Sequence, residues 1–193
     1  TAQEVNADLI RRYNVSGPRY TSYPTALQFA PYTEAAFKEV VKSSMLSAKR
    51  SNNKGEDLSI YVHIPFCATL CYYCACNKIV TRQPGVARQY LDRLAKDIEV
   101  QSQLVGKQRP ITQMHWGGGT PTYLDNAEIT ELMHMLASTF RLLDKEYREY
   151  SIEIDPRTVE THSIALLKGV GFNRISLGIQ DFDPVVQRAV NRI

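Results

Sequence analysis

The four cysteines of this 193-residue chain lie within ten residues of one another, at positions 67, 71, 74 and 76. Cysteines at this density form disulfides, bind zinc or bind an iron–sulfur cluster. The first three are separated by three and then two residues, so one loop presents three sulfurs. Three thiolates can hold three corners of a four-iron cluster and leave the fourth iron open for chemistry, as the open position does at a catalytic zinc.

The alternatives to such a cluster fit the sequence less well. Disulfide frameworks are typical of small secreted domains with few apolar residues, whereas this chain is 44% hydrophobic. Structural zinc uses two separated ligand pairs, and the four histidines do not supply a second pair at a matching spacing. An electron carrier normally uses four cysteines. Cys76 could be the fourth ligand, although it follows Cys74 by only two residues, unlike the usual ferredoxin spacings.

Composition and charge restrict the partners. The 23 basic and 20 acidic residues are scattered and leave a net charge of +3, which predicts no nucleic-acid partner. No apolar run approaches the length of a membrane span, so no membrane partner is predicted. Free thiolates that hold iron indicate a reducing, cytoplasmic location.

Strand and helix patterns alternate along most of the chain. Apolar strand patterns occur at 58–64, 111–116, 149–154 and 173–178, and helical patterns at 33–50, 86–105, after Asp125, at 161–168 and from 184. Four repeats of strand, loop and helix predict an α/β fold with a parallel sheet and helices outside it. Two regions are predicted, an N-terminal arm and helix at 1–57 and a βα domain at 58–193.

Glycine and polar residues follow the predicted strands, at the end where parallel sheets bind ligands. Gly117–Gly119 follow the second strand, Glu153 lies near the end of the third, and Gln180 follows the fourth. The glycines allow close approach of a ligand or simply make a turn, and their position favours the ligand. Glu153 either accepts hydrogen bonds from ribose hydroxyls or is a solvated charge.

Two further side chains have ordinary structural interpretations. His63 lies on the strand before the cysteines, where a histidine is more often held by a neighbouring group than bound to metal. Arg192 lies near a helix end, where an arginine is by default a surface charge or a partner of the helix dipole.

The cysteine spacing, with the aromatic Tyr73 before the third cysteine, resembles the cluster signature of the radical S-adenosylmethionine (SAM) enzymes. The longer stretch from Tyr61 to Arg82 resembles, more narrowly, the oxygen-independent coproporphyrinogen III oxidases (dehydrogenases) of haem biosynthesis. Motifs at 16–25, 115–123, 151–157 and 178–182 resemble that family in the same order. The resemblance implies an N-terminal arm followed by the first part of a partial (β/α)6 barrel with parallel strands.

The resemblance also implies a reaction. A [4Fe–4S] cluster would bind S-adenosylmethionine, and a 5′-deoxyadenosyl radical would convert two propionates of coproporphyrinogen III to vinyls, giving protoporphyrinogen IX without dioxygen. A reductant protein such as flavodoxin or ferredoxin would supply electrons to a monomer. Members of this family are well over twice this length, which puts the activity of these 193 residues by themselves in question.

The family's cofactor residues transfer to matching positions of this chain. The resemblance makes Cys67, Cys71 and Cys74 the cluster ligands and assigns no acid–base catalyst. Bound S-adenosylmethionine would contact Tyr61, Gly118 and Glu153. A second S-adenosylmethionine site would be lined by Tyr73, Cys76, Gly119, Thr120, Gln180 and Arg192.

Two rival functions remain open at the level of the sequence. A haem chaperone of the same superfamily usually lacks the last cysteine of the loop, so Cys76 argues against it. An iron–sulfur electron-transfer module would use all four cysteines as ligands, and would leave the glycine loop and the polar strand ends without a role.

Overall fold

Strands alternate with helices as the sequence predicts, in a computed structural model that describes residues 6–15, 25–50, 57–72 and 74–193. The elements in chain order are α1 (Ala7–Tyr13), α2 (Glu34–Arg50), β1 (Leu58–Ile64), β2 (Phe66–Cys67), β3 (Ile79–Val80), α3 (Val86–Val105), β4 (Pro110–Gly118), α4 (Asn126–Thr139), β5 (Arg141–Leu142), β6 (Glu149–Ile154), α5 (Thr161–Gly169), β7 (Arg174–Leu177) and α6 (Pro184–Ala189). Most of the motif at 16–25 lies outside the described residues.

The long strands form one parallel sheet in the order β1-β4-β6-β7, with the short β5 paired to β4. The predicted α/β class and parallel sheet are therefore confirmed. The pair β2–β3, which was not predicted, is a separate parallel ladder that encloses the cysteines. The chain divides into two compact units, Thr1–Phe37 and Lys38–Ile193, while the boundary predicted at residue 57 stays a prediction.

The two faces of the sheet differ because side chains alternate along each strand. One face carries the buried apolar residues of the strands, including Trp116 and Ile152, and it packs with the apolar stripes of α3 and α4. The other face carries polar and aromatic side chains that remain partly open: Tyr61, His63, His115, Ser151 and Glu153. The fold thus separates a dry core from a polar face.

Local signals place the helices that cover the sheet. Asp125 and Glu128 form the predicted capping box at the start of α4, with Glu128 N donating to Asp125 Oδ1 at 2.8 Å. Gly169 ends α5, and Gly171 follows at φ 114°, a conformation that suits glycine. In the described ranges, no helix is both long and apolar enough to cross a bilayer.

Candidate cluster and cofactor site

The cysteine loop begins and ends on the β2–β3 ladder. Cys67 is buried at the end of β2, and its carbonyl accepts a hydrogen bond from Thr81 N at 3.0 Å. Ile79 N donates to the carbonyl of Pro65 at 2.7 Å. Residues 68–78 therefore leave and re-enter the fold at neighbouring points, and all four cysteines are free thiols.

The C-terminal segment holds the middle of the same loop. Asn191 Nδ2 donates to the carbonyl of Leu70 at 2.7 Å, and Tyr72 N donates to the carbonyl of Val190 at 3.1 Å. Residues more than a hundred positions away in the sequence thus fix the conformation around Cys71.

Two guanidinium groups lie beside this loop. Arg192 Nη1 is 3.3 Å from Cys71 Sγ, and Arg157 Nη2 donates to Thr69 Oγ1 at 3.3 Å. Asp155 accepts from both arginines, at 2.9 Å from Arg192 Nη1 and 2.7 Å from Arg157 Nη2. The interpretation of Arg192 as a surface charge is wrong, because its side chain is only 9% exposed. Two positive charges thus lie next to the cysteine loop.

The neighbouring thiols differ in acidity. Burial opposes ionisation of Cys74, but hydrogen bonds from the Cys76 backbone and thiol, together with Lys78, outweigh it and lower the pKa of Cys74. Burial raises the pKa of Cys76, and its proximity to Cys74 and Glu153 raises it further. Burial also raises the pKa of Cys67, although Thr120, 3.5 Å from its sulfur, opposes this effect. Of these three thiols, only that of Cys74 has a pKa below its ordinary value.

The glycine loop ends β4 against the start of the cysteine loop. Gly119 N donates to the carbonyl of Ile64 and Thr120 N to that of Phe66, both at 2.8 Å. A Cβ on Gly119 would lie 2.6 Å from the carbonyl oxygen of Pro65, so only glycine fits there. The two loops pack backbone to backbone, which places Thr120 beside Cys67.

Glu153 is the centre of a polar cluster on the open face of the sheet. Its Oε2 accepts from Gly118 N at 3.2 Å, and its Oε1 is 3.4 Å from His115 Nε2. The ring of Tyr61 stacks on His115, with centroids 5.9 Å apart and an interplanar angle of 20°. Tyr61, Gly118 and Glu153 were predicted as one binding site, and the structure brings them together.

His63 stands at the edge of this cluster. Its Nε2 lies 2.9 Å from the carbonyl oxygen of Asn77, and its Nδ1 lies 3.0 Å from the Tyr61 hydroxyl. Both ring nitrogens are engaged by neighbouring groups, so the prediction of a held strand histidine is confirmed.

The residues predicted for the second site fall into separate groups. Gln180, at φ 74°, and Arg192 both approach Gly178, whose carbonyl accepts from Arg192 Nη2. Thr120 and Gly119 lie with Cys67, while Cys76 lies next to Cys74. Tyr73 lies outside the described residues. Their common role stays a prediction.

Sequence reasoning gave no role to four residues that organise the site, namely His115, Ser151, Asp155 and Arg157. His115 and Ser151 are cross-strand partners on β4 and β6. Side chains alternate between the two faces of β4, and this pattern could have placed His115 on the same face as Gly117 of the glycine loop. Asp155 directly follows β6, where an aspartate before proline commonly caps a turn, and it accepts from Arg157 N at 3.0 Å.

A cavity of about 310 Å³ lies between Asp155, Arg157, Gly178 and Arg192. Among the described residues, no group of three or more His, Cys, Asp or Glu side chains converges on one point as ligands of a single ion do. A four-iron cluster does not require ligands that converge on a single ion, because each thiolate binds a different iron.

The family model described as the radical SAM superfamily matches residues 61–193. The chain is 50% identical over 189 residues to an oxygen-independent coproporphyrinogen III oxidase from Pseudomonas aeruginosa, covering 97% of this chain and 40% of that protein. It is 48% identical over 195 residues to the protein of the same name from Escherichia coli, covering 100% of this chain and 40% of that protein.

The structure is similar to a solved structure described as coproporphyrinogen III oxidase from Escherichia coli, a radical SAM enzyme. The TM-score is 0.80 at 46% sequence identity, covering 98% of this chain and 40% of that chain. The chain thus spans about 40% of the length of these relatives.

Proposed function

The chain belongs to the radical SAM superfamily, and from this premise we propose that it is the cofactor-binding N-terminal part of an oxygen-independent coproporphyrinogen III oxidase. The proposal rests mainly on one observation. Backbone hydrogen bonds from Gly119 and Thr120 hold the glycine loop against the start of the cysteine loop, next to the hydrogen bond between Gly118 N and Glu153. The relatives that bear this enzyme name match almost the whole chain.

Members of the superfamily use a [4Fe–4S] cluster and S-adenosylmethionine, and the residues present fit both. Cys67, Cys71 and Cys74 are free thiols on one loop, with Arg192 beside Cys71 and Lys78 bound to the carbonyl of Cys74 at 3.1 Å. These cations compensate the negative charge of thiolates. We propose the three cysteines as cluster ligands and Cys76, which follows Cys74 by only two residues, as a residue outside the ligand set.

The polar cluster around Glu153 would hold S-adenosylmethionine. The Glu153 side chain is 44% exposed, so part of the carboxylate stays open to accept hydrogen bonds from ribose hydroxyls. Tyr61 is 59% exposed and offers a ring face and a hydroxyl at the same place. Gly118 lets the backbone approach the ligand, since no Cβ stands in the way.

A second S-adenosylmethionine site is also part of the proposal. It would use Gly119 and Thr120 on the glycine loop, Cys76 and Tyr73 on the cysteine loop, and Gln180 with Arg192 beside Gly178. The positive charge of Arg192 suits a carboxylate of the ligand, although Asp155 already accepts from that side chain.

The substrate of the whole protein would be coproporphyrinogen III. When bound, the two cofactors supply a carbon radical that removes a hydrogen atom from the β-carbon of a propionate. The substrate then loses one electron to a one-electron acceptor and releases carbon dioxide, which leaves a vinyl group. This chain's residues would bind and orient the cofactors. We further propose that the protein is cytoplasmic, because free thiols that bind iron suit a reducing compartment. We also propose that it is a monomer and that a flavodoxin or ferredoxin reduces it.

The test is anaerobic reconstitution of the full-length protein with iron and sulfide, followed by electron paramagnetic resonance of the reduced sample with and without S-adenosylmethionine. We expect a four-iron signal that changes on adding S-adenosylmethionine, and conversion of coproporphyrinogen III in the same preparation. A signal indifferent to S-adenosylmethionine would indicate an electron carrier. A responsive signal without turnover of the substrate would favour a haem chaperone.

A further inference from the structure

Both oxygens of the Glu153 carboxylate are held before any ligand binds. Oε2 accepts from Gly118 N at 3.2 Å, and Oε1 lies 3.4 Å from His115 Nε2. Free glutamate side chains sample several rotamers, and fixing one of them costs conformational entropy. Two separate partners on the two oxygens remove most of this freedom in advance.

His115 is itself fixed by its neighbours. Its Nδ1 lies 2.6 Å from Ser151 Oγ, and its ring stacks on Tyr61. The contact with Ser151 follows from register, because the two residues face each other on β4 and β6. The imidazole therefore has a defined plane, with Nε2 directed to Glu153.

The hydrogen bond from His115 to Glu153 exists in both charge states of the imidazole. In the neutral ring, the Ser151 hydroxyl donates to Nδ1 and Nε2–H donates to the carboxylate. In the charged ring, Nδ1–H donates to Ser151 Oγ, and that hydroxyl can then donate to the carbonyl of Met114 at 3.4 Å. Nε2 is the donor towards Glu153 in either case. The contact therefore does not depend on the charge of the ring, and in the neutral ring it uses the Nε2–H tautomer, which the Ser151 hydroxyl favours by donating to Nδ1.

The space around this pair is kept clear by Gly117. A Cβ at that position would lie 3.0 Å from His115 Nε2 and 3.1 Å from the Glu153 carboxylate. Both distances are shorter than ordinary contacts with a methyl group. The glycine loop thus accommodates the His115–Glu153 pair as well as a ligand.

We propose that His115 is a positioning residue, which orients Glu153 through its Nε2–H so that the open side of the carboxylate meets the hydroxyl groups of a bound nucleoside, S-adenosylmethionine. Ser151 acts on Glu153 indirectly, because it fixes the orientation of the His115 imidazole. The inference rests on the proposed function, because that function gives Glu153 its ligand.

The test compares S-adenosylmethionine affinity among variants of the full-length, reconstituted protein, by titrating the change in the electron paramagnetic resonance signal. His115→Phe keeps a ring for Tyr61 but removes the donor, and His115→Gln retains a donor. We expect the dissociation constant to rise about tenfold in His115→Phe, the size of a lost hydrogen bond to a charged group. His115→Gln should recover part of the loss, and Ser151→Ala should show a smaller rise.

A matched control is His134→Phe, the same change at an exposed position of α4, which should bind S-adenosylmethionine as the wild type does. Glu153→Gln and the double variant complete a cycle. Because His115 acts through Glu153, the double variant should bind no more weakly than Glu153→Gln alone.

Additive losses in that cycle, or a His115→Phe affinity equal to that of His134→Phe, would overturn the positioning role while leaving the proposed function intact. If His115→Phe fails to retain iron and sulfide, Ser151→Ala with full cluster content decides the matter, and an unchanged affinity there counts against the proposal. A wild-type protein that does not respond to S-adenosylmethionine would overturn the proposed function itself.

Discussion

Arg192 Nη1 lies 2.9 Å from Asp155 Oδ2, and both side chains are less than a tenth exposed. Arg157 shares the same carboxylate, and the two guanidinium groups reach on to Cys71 Sγ and Thr69 Oγ1. The carboxylate at the end of β6 therefore connects the sheet, the C-terminal segment and the cysteine loop. Buried charges are tolerated only when they are paired and hydrogen-bonded in this way.

Replacing Asp155 by asparagine should destabilise the protein by about 3 kcal/mol, because it leaves two arginines without their shared charge. Chemical denaturation measures the change in the free energy of unfolding. Asp144→Asn is the matched control, since Asp144 also pairs with an arginine at 2.9 Å but is 96% exposed. It should cost less than about 0.5 kcal/mol. Equal losses of unfolding free energy in the two variants would show that the buried network adds no more stability than an exposed ion pair.

The same network predicts how stability depends on pH. Burial opposes ionisation of Asp155, but hydrogen bonds from Arg157 and the charge of Arg192 outweigh it and hold the pKa below its ordinary value of 3.8. A lowered folded pKa stabilises the protein above the unfolded pKa, and this contribution is lost as pH falls through the folded value. The difference in unfolding free energy between wild type and Asp155→Asn should thus be full above pH 5 and shrink below about pH 4. A difference that stays constant to lower pH would contradict this account.

Alanine at Gly119 should disturb the cysteine loop, because its Cβ would lie 2.6 Å and 2.7 Å from the carbonyl oxygens of Pro65 and Phe66. Backbone atoms cannot rotate away, so we expect a loss of about 3 kcal/mol and less iron bound per chain. Gly169→Ala is the control, because nothing lies within 4 Å of a Cβ there. That change at the last residue of α5 should be neutral or slightly stabilising. The measurements are thermal unfolding and iron content after reconstitution.

Serine substitutions should separate cluster ligands from the remaining cysteine. Cys71→Ser should lose most of the iron that the wild type takes up on reconstitution, since serine replaces a thiolate ligand. Cys76→Ser should retain the cluster, because Cys76 follows Cys74 by only two residues, and a loop that already holds three corners does not readily reach the fourth. Iron and sulfide analysis with electron paramagnetic resonance gives the result. Loss of the cluster in Cys76→Ser would favour an electron carrier with four cysteine ligands.

Much of the fold could be predicted because its signals are local. The alternating apolar patterns gave β1 and β6 with their observed bounds, and the apolar stripe gave α3 from Val86 to Val105. The β2–β3 pair was missed, since two-residue strands carry too few residues for a periodic pattern. The default interpretation of Arg192 as a surface charge was wrong because burial of a charge depends on a partner, Asp155, that lies 37 residues earlier in the chain.

The sequence by itself determined the chemistry that is available here: three closely spaced thiols, a glycine loop and carboxylates at strand ends, together with the periodicity that makes a parallel sheet. Only the tertiary structure decided which of these groups meet. Register between β4 and β6 pairs His115 with Ser151 and brings His115 to Glu153, and the return of the C-terminal segment brings Arg192 to Cys71. The physical reason is that residue type and local pattern fix an element, whereas contacts between elements depend on pairing and packing across long separations in the chain.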